Sequence, residues 1–126
     1  MEKELHAVLS IRLFTEQKCF GPGIAELLHY VDEHHSLRAA AQAMGMAYSK
    51  AWAITKGAEK GLGVELLVST AGGKGGGGAT LTEEARQILA AYDRYYEKLR
   101  AYGDELLKEE FAFYMHMKKN DPADHE

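Results

Sequence analysis

The stretch from Thr70 to Thr82, TAGGKGGGGATLT, contains the residues of this chain best suited to bind a phosphate. Six glycines surround one lysine, Lys74, so that backbone N–H groups and an ammonium group can approach an anion without obstruction by side chains. Two kinds of phosphate fit this chemistry: that of a bound nucleotide, and the sugar-phosphate backbone of DNA. The neighbouring residues help to distinguish them.

A nucleotide-binding loop requires more than glycine and lysine. In a P-loop, a Ser or Thr follows the Gly-Lys pair and holds magnesium, and a helix begins directly afterwards. Here Gly75 follows Gly73-Lys74, and the run ATL, which we predict as a short strand, precedes the next helix. A Rossmann unit would need a second strand–helix unit downstream, and no such pattern follows. The sequence therefore disfavours a nucleotide.

The alternative is a β-hairpin in which ELLVS pairs with ATL and the glycines form the tip. Such a tip exposes N–H groups and brings no bulky side chain against a sugar-phosphate wall, as the wing of a winged helix does. A loop without fixed structure is the other interpretation of the same composition.

Two short helices joined by a glycine precede this hairpin. Ser36 can cap LRAAAQAM, Gly45 can end it, and AYSKAWAITKG resumes as a further helix. Ala41, four residues before the glycine, is small enough for the two helices to approach closely. This pattern predicts a helix-turn-helix, and an Ala-rich helical hairpin without a DNA role is the alternative. We expect Trp52 to fill the core of so small a domain.

In a helix-turn-helix the second helix lies in the major groove with its first residues at the base edges. The residues predicted to contact DNA are those of this helix start, nearby basic and hydroxyl groups, and the hairpin tip: Ser36, Arg38, Ala47, Tyr48, Ser49, Lys50, Lys56, Lys74, Gly75 and Gly76.

The charge distribution favours this assignment more than the total charge does. The chain of 126 residues carries a net charge of −4, which argues weakly against nucleic acid. Residues 36–81, however, contain five basic and two acidic residues and are therefore net positive by three. A local basic face matters more than the total for binding phosphates.

The flanking segments complete a mainly α fold with a small β wing. HAVLSIRLF predicts a strand that ends near Phe14, TEQKCFGPG a turn-rich connection, and IAELLHYVDEHH an amphipathic helix. From Thr82, a plausible N-cap, apolar residues recur at helical spacing for about seven turns. We divide the chain into a DNA-binding domain (1–81), a long dimerisation helix (82–117) and a flexible tail (118–126).

The long helix is expected to pair with a second copy, because its apolar face exceeds what so small a domain can bury. The residues predicted for this dimer interface are Ile88, Tyr92, Tyr95, Tyr96, Leu99, Tyr102 and Leu106.

The sequence gives little indication of a metal site or a catalytic site. His29, His34 and His35 lie near a helix end, where a solvated cap is a better interpretation than a metal site. We predict no catalytic residues, no metal and no cofactor. Cys19 is the one cysteine and no apolar run is long enough to span a membrane, so we expect a cytoplasmic protein without a membrane association.

The segments SLRAAAQAMGMAYSKAWAITKGAEKGLGVELL and GGKGGGGATLTEEA closely resemble the N-terminal DNA-binding domain of the molybdate-dependent regulator ModE, and more distantly the LysR-type winged helix. The resemblance covers about residues 8–111. It implies that Ser49 and Lys50 lie on the recognition helix, Gly72–Gly78 on the wing, and the helix from Thr82 at a dimer interface. Because the chain ends soon after that helix, molybdate binding is not expected.

Together these features predict a dimeric winged helix-turn-helix protein that regulates transcription. Two alternatives remain at this point. The first is a protein-interaction module that kept the fold and lost DNA binding, and the second is an oxyanion-sensing regulator that uses the dimer interface.

Overall fold

The computed structural model describes residues 4–70 and 77–119. The elements in chain order are β1 (Leu13–Phe14), β2 (Lys18–Phe20), α1 (Pro22–His34), α2 (Leu37–Ala43), α3 (Tyr48–Leu62), β3 (Leu67–Thr70), β4 (Gly78–Leu81), α4 (Glu83–Glu110) and α5 (Ala112–Lys119). They divide into two compact units: Ser10–Asp93, and the described residues before Ser10 and after Asp93. The predicted winged helix-turn-helix with a long C-terminal helix is confirmed.

Helices α2 and α3 form the helix-turn-helix for the reasons visible in the sequence. The Ser36 hydroxyl oxygen accepts a hydrogen bond from the Ala39 N–H at 3.0 Å and so caps α2. Gly45 follows the helix with φ +69°, a conformation that favours glycine. The Met46 N–H then donates to the Ala41 carbonyl at 3.0 Å, which closes the turn.

The core of the Ser10–Asp93 unit lies between these helices and the start of α4. Its largest fully buried side chains are Phe20, Leu27, Leu28, Val31 and Leu66. Alanines at the α2–α3 contact are also buried, which lets the two helix backbones approach each other closely.

Tyr92 belongs to this core, whereas the sequence analysis assigned it to a dimer interface. Its side chain is 7% exposed and packs edge-on against Phe20, with ring centres 5.0 Å apart. Its hydroxyl donates to the Ile11 carbonyl at 2.7 Å. Ile88, one turn earlier, is half-buried against the same core. The apolar positions of α4 thus begin in the core and continue along the helix as an exposed stripe. Tyr92 belongs to the part that lies in the core.

The prediction that Trp52 fills the core is wrong. Half of its surface is exposed, because α3 buries the face formed by Ala51, Thr55 and Ala58. Trp52 follows Ala51 by one residue, or about 100° around the helix, and so lies off that face.

The N-terminal strand is shorter than predicted, and part of the predicted connection is a strand. β1 contains only Leu13 and Phe14, and it pairs antiparallel with β2, whose residues lie in the TEQKCFGPG segment. Cys19 of β2 is buried against Gly61 of α3. This small hairpin therefore closes the core behind α3.

The wing is an antiparallel hairpin with the register Leu67↔Leu81 through Thr70↔Gly78. The Ala79 N–H donates to the His35 carbonyl at 3.0 Å, which attaches the return strand to the end of α1. Thr82 caps α4 as predicted, since its hydroxyl oxygen accepts from the Ala85 N–H at 3.0 Å. The predicted DNA contacts at Lys74, Gly75 and Gly76 lie outside the described residues.

The second unit contains the later part of α4 and α5. From Tyr95 onward it carries large apolar side chains that are at least one-third exposed: Tyr95, Leu99, Tyr102, Leu106, Phe111, Phe113, Tyr114, Met115 and Met117. Gly103 lies in the middle of the α4 stripe, and a Cβ there would meet nothing within 4 Å.

Two glycines of α3 provide a matched test of the packing between α3 and β2. A Cβ on Gly61 would lie 2.5 Å from the Cβ of Cys19 and 3.3 Å from its Cα, whereas a Cβ on Gly57 would meet nothing within 4 Å. We expect Gly61→Ala to lower the free energy of unfolding by about 1–2 kcal/mol, because overpacking outweighs the gain in helix propensity.

Gly57→Ala serves as the control and should raise the free energy of unfolding by about 0.5–1 kcal/mol. Both values come from denaturant unfolding followed by circular dichroism at one protein concentration. Equal effects of the two substitutions would contradict the close contact between Gly61 and Cys19.

Candidate nucleic-acid interface

A cleft with a volume of about 350 Å³ lies between the start of α2, the outer face of α3 and the wing. We call it the helix–wing cleft. The residues that line it are Ser36, Leu37, Arg38, Tyr48, Trp52, Thr55, Lys56, Glu59, Leu67, Ser69, Gly77, Gly78 and Ala79. One wall is therefore the helix predicted to read DNA, and the opposite wall is the hairpin predicted to lie along its backbone.

The first three residues of α3 are exposed, because Ala51 is the first residue of its buried face. Ala47 precedes the helix in an extended conformation, with φ −67° and ψ 147°. Tyr48, Ser49 and Lys50 are exposed, whereas Ala51 is fully buried. A helix that begins this way presents its N-terminal side chains to a ligand on its outer side, as a recognition helix must.

Two aromatic rings stand one helical turn apart on this outer face, and each has a cation near it. The Arg38 guanidinium lies 4.3 Å from the centre of the Tyr48 ring. The Lys56 ammonium lies 5.7 Å from the centre of the Trp52 ring. Both distances fall within the range of cation–π attraction, so the rings restrict where these positive charges lie.

Glu59 links α3 to the wing. Its side chain is 12% exposed, and one carboxylate oxygen accepts hydrogen bonds from the N–H groups of Leu66, at 2.8 Å, and Leu67, at 3.4 Å. The other oxygen lies 3.2 Å from the Lys56 ammonium. A single carboxylate thus connects α3 to the first wing strand and orients Lys56.

These contacts act on the pKa of Glu59 in opposite directions. Partial burial, the largest effect, raises the pKa. The hydrogen bonds from Leu66 and Leu67 and the charge of Lys56 lower it, and together they outweigh burial. The net pKa is below the usual value, so the carboxylate is charged at neutral pH and holds its partners.

The structure brings together four of the ten residues predicted for DNA contact. Ser36, Arg38, Tyr48 and Lys56 all line the helix–wing cleft. Two of them also have partners within the chain, because the Ser36 hydroxyl caps α2 and Lys56 pairs with Glu59. These partners compete with any phosphate for the same groups.

Three more predicted residues, Ala47, Ser49 and Lys50, are exposed at the start of α3 beside the cleft. Three further residues line the cleft: Gly77, which was predicted as part of the wing, Ser69, to which the sequence reasoning assigned no site role, and Trp52, which was expected in the core. The spacing of Ala51, Thr55 and Ala58 at i, i+4 and i+7 marks the inward face of α3, and this signal could have placed Trp52 outside the core.

Two further kinds of site are absent from the described part of the chain. Among residues 4–70 and 77–119, no group of three or more His, Cys, Asp or Glu side chains is arranged to hold a metal ion. Over the same residues, no helix combines the length and apolar character that crossing a membrane requires.

The comparison with protein families agrees with this geometry. Residues 25–86 match the family described as bacterial regulatory helix-turn-helix protein, LysR family. This part of the chain is a LysR-type helix-turn-helix domain. The matched residues include most of α1, all of α2 and α3, the wing strands and the first turn of α4.

One relative extends the comparison. The chain is 35% identical over 66 residues to the molybdenum-pterin-binding protein MopB of Rhodobacter capsulatus. The match covers 52% of this chain and 24% of the relative, so the chain spans about a quarter of that protein. The resemblance inferred from the sequence motifs is confirmed, and the domain is of the DNA-binding type found in transcription regulators.

The lowered pKa of Glu59 predicts a pH-dependent contribution to stability. A carboxylate whose folded-state pKa is depressed stabilises the protein above its unfolded-state pKa, about 4.3, and this stabilisation is lost as the pH falls through the folded-state value. We expect Glu59→Gln to lower the free energy of unfolding by about 1 kcal/mol at neutral pH, because hydrogen bonds to a charged group are weakened. The difference from the unsubstituted protein should diminish below about pH 4.

Unfolding curves at a series of pH values test this expectation. Glu26→Gln is the matched control, because it removes an exposed carboxylate from α1. A Glu59→Gln effect that is constant down to pH 3 would show that the charge of Glu59 does not hold the wing.

Proposed function

We propose that this protein is a sequence-specific DNA-binding regulator of transcription that acts as a homodimer. In this proposal α3 enters the major groove and the wing follows the neighbouring backbone. The observation that carries it is the exposed start of α3 beside a cleft whose other wall is the wing. The LysR-type domain supports it independently.

The arrangement separates two tasks that DNA recognition requires. Exposed side chains at the start of α3, Tyr48, Ser49 and Lys50, have the hydrogen-bonding groups to contact base edges or phosphates. Arg38 lies beside them but comes from α2, so it is suited to a phosphate at the groove edge. Phosphate contacts would set the position of α3, and base-edge contacts would select the sequence.

The wing supplies the second wall. Ser69 and Gly77 lie where the cleft meets the two wing strands, and backbone N–H groups of a glycine-rich hairpin can approach a phosphate closely. Lys74 is the one charged residue of the glycine stretch, and we propose that it contacts the DNA backbone.

The proposal of a dimer rests on the exposed apolar side chains of the second unit. Tyr96, Leu99, Gly103 and Leu106 recur at the a and d positions of a heptad on α4, and Tyr95 and Tyr102 flank this seam. A glycine within a helix costs about 1 kcal/mol relative to alanine. Close approach of a partner helix at Gly103 would explain why it stands there.

A dimer also suits the proposed mechanism. Two recognition helices would meet half-sites about one helical turn of DNA apart in a roughly palindromic operator. Burial of Tyr92 within its own chain leaves six of the seven predicted residues for this interface: Ile88, Tyr95, Tyr96, Leu99, Tyr102 and Leu106.

A protein-interaction module with the same fold is the second candidate. The net charge of −4 and the pairing of Lys56 with Glu59 favour it, because both reduce attraction to phosphates. DNA retention that is absent, or insensitive to salt, would select this candidate.

We do not propose that this chain senses an oxyanion, because the match to the relative whose name refers to molybdenum-pterin covers 24% of that relative's length. Calorimetry with molybdate tests this directly, and we expect no heat of binding.

The first test of DNA binding is selection of bound duplexes from a random library, followed by titration of a selected duplex at several salt concentrations. We expect Lys50→Ala and Arg38→Ala each to weaken binding and to reduce the dependence of log K on log salt by about one unit, the effect of losing one phosphate contact.

Lys98→Ala on α4 is the control, since it removes the same charge outside the helix–wing cleft and should leave binding nearly unchanged. A double variant, Lys50→Ala with Lys74→Ala, tests the helix and the wing together. Unchanged binding by that double variant would refute the assigned surface.

The dimer is tested by placing a charge on the α4 seam. We expect Leu99→Glu to shift the protein from dimer to monomer at micromolar concentration, because an unpaired carboxylate would be buried between the helices. Ala101→Glu introduces the same residue at an exposed position off the seam and should leave the dimer intact.

Analytical ultracentrifugation gives both masses. A monomeric unsubstituted protein, or equal dissociation by both variants, would contradict the proposed seam.

A further inference from the structure

The indole of Trp52 is exposed, so packing in the core does not explain why a tryptophan occupies this position. It lies one helical turn beyond Tyr48 on the recognition helix, lines the helix–wing cleft and is 50% exposed. Single exposed apolar side chains are common on protein surfaces. This one, however, is the largest residue type and stands where the proposed function puts the edges of the base pairs.

The ring is held by a chain of contacts that ends in the wing. Its neighbour Lys56 lies 5.7 Å from the ring centre, and Lys56 is held by Glu59 at 3.2 Å. Glu59 in turn accepts a hydrogen bond from the Leu66 N–H at 2.8 Å. The indole therefore has a positioned cation beside it, and this restricts its orientation before any DNA is bound.

The chemistry of the major groove indicates what such a ring can recognise. Base edges there present hydrogen-bond donors and acceptors and one apolar group, the C5-methyl group of thymine. An indole offers a broad apolar surface and a single N–H donor. The thymine methyl group is thus the feature of a base edge that matches most of its surface.

We infer that Trp52 is a specificity-determining residue that packs against the methyl group of a thymine in the operator. This inference rests on the proposed function, because it requires α3 to lie in the major groove. It adds to the polar contacts of Tyr48, Ser49 and Lys50 an apolar contact that favours A·T over G·C pairs at one position.

The test removes the methyl group from the DNA and the indole from the protein. Each thymine of a library-selected duplex is replaced in turn by uracil, which keeps the Watson–Crick pairing and lacks the methyl group. We expect one or two replacements to weaken binding of the unsubstituted protein about fourfold, the effect of removing one buried methyl group. Trp52→Ala should bind the thymine duplex more weakly and be indifferent to the same replacements.

Trp52→Phe provides the matched variant. It retains an apolar ring and lacks the indole N–H, so the inference expects it to retain the sensitivity to uracil. If Trp52→Phe loses as much affinity as Trp52→Ala and neither protein discriminates uracil, the N–H group rather than the apolar surface makes the contact, and the inference is wrong. Circular dichroism of both variants establishes that they are folded.

Because Trp52 is the only tryptophan in the chain, its fluorescence is a second readout that needs no label. We expect saturating duplex to shift the emission and to protect the ring from acrylamide quenching, with saturation determined independently from the anisotropy of labelled DNA. Unchanged quenching on DNA that is demonstrably bound would overturn the inference.

The results separate this inference from the proposed function. Absence of any selected duplex would overturn both. Salt-dependent binding that is weakened by Lys50→Ala, together with equal affinity for all uracil duplexes, would support the proposed function and overturn the role of Trp52.

Discussion

The close packing of α3 through small side chains is the constraint on which the rest of the structure depends. The helix buries Ala51, Thr55 and Ala58, and it meets α2 at the buried alanines Ala40 and Ala41. These small side chains bring the axes of α2 and α3 close together, and the half-buried Ile54 and Leu62 complete the packing of α3 against the core. The two aromatic residues of α3, Tyr48 and Trp52, remain exposed on its outer face. Close packing on one side of α3 thus leaves its largest side chains accessible on the other side.

A second constraint couples this helix to the wing. Glu59 lies near the end of α3 and holds the backbone of Leu66 and Leu67, while Thr82 at the end of the hairpin donates to the Glu65 carbonyl at 2.7 Å. Both ends of the wing are therefore tied to the same short segment that leaves α3. A displacement of α3 would move the wing with it, so the two walls of the helix–wing cleft keep their spacing. Preorganisation of this kind lowers the entropic cost of binding a rigid duplex.

The sequence predicted the local signals of this fold well and the contacts between distant residues poorly. Ser36, Gly45 and Thr82 were recognised because capping and left-handed turns depend on one residue and its immediate neighbours. The pairing of β1 with β2 was missed, because two or three residues form each strand and no alternation can develop over so short a run. Trp52 was misplaced in the core because residue type was given more weight than helical phase, whereas Tyr92 was assigned to a dimer interface because it follows the helical spacing of α4. The phase of α3 can be read from its spacing of small residues, but which stretch of α4 is covered by its own domain is a tertiary property.

The glycine stretch combines two physical roles that composition alone cannot separate. A Cβ on Gly78 would lie 2.6 Å from the Thr70 hydroxyl oxygen and 2.8 Å from the His35 carbonyl oxygen. Glycine is required there because β4 packs directly on the end of α1, whether or not DNA is present. Gly77, one residue earlier, is exposed and lines the helix–wing cleft, as Gly78 and Ala79 also do. Gly78 thus combines close packing with a place in the cleft, whereas its neighbour Gly77 is exposed there. A substitution at Gly78 would disturb the fold and the cleft together. An effect of a hairpin substitution on DNA binding can therefore be attributed to the hairpin surface only at positions before Gly78.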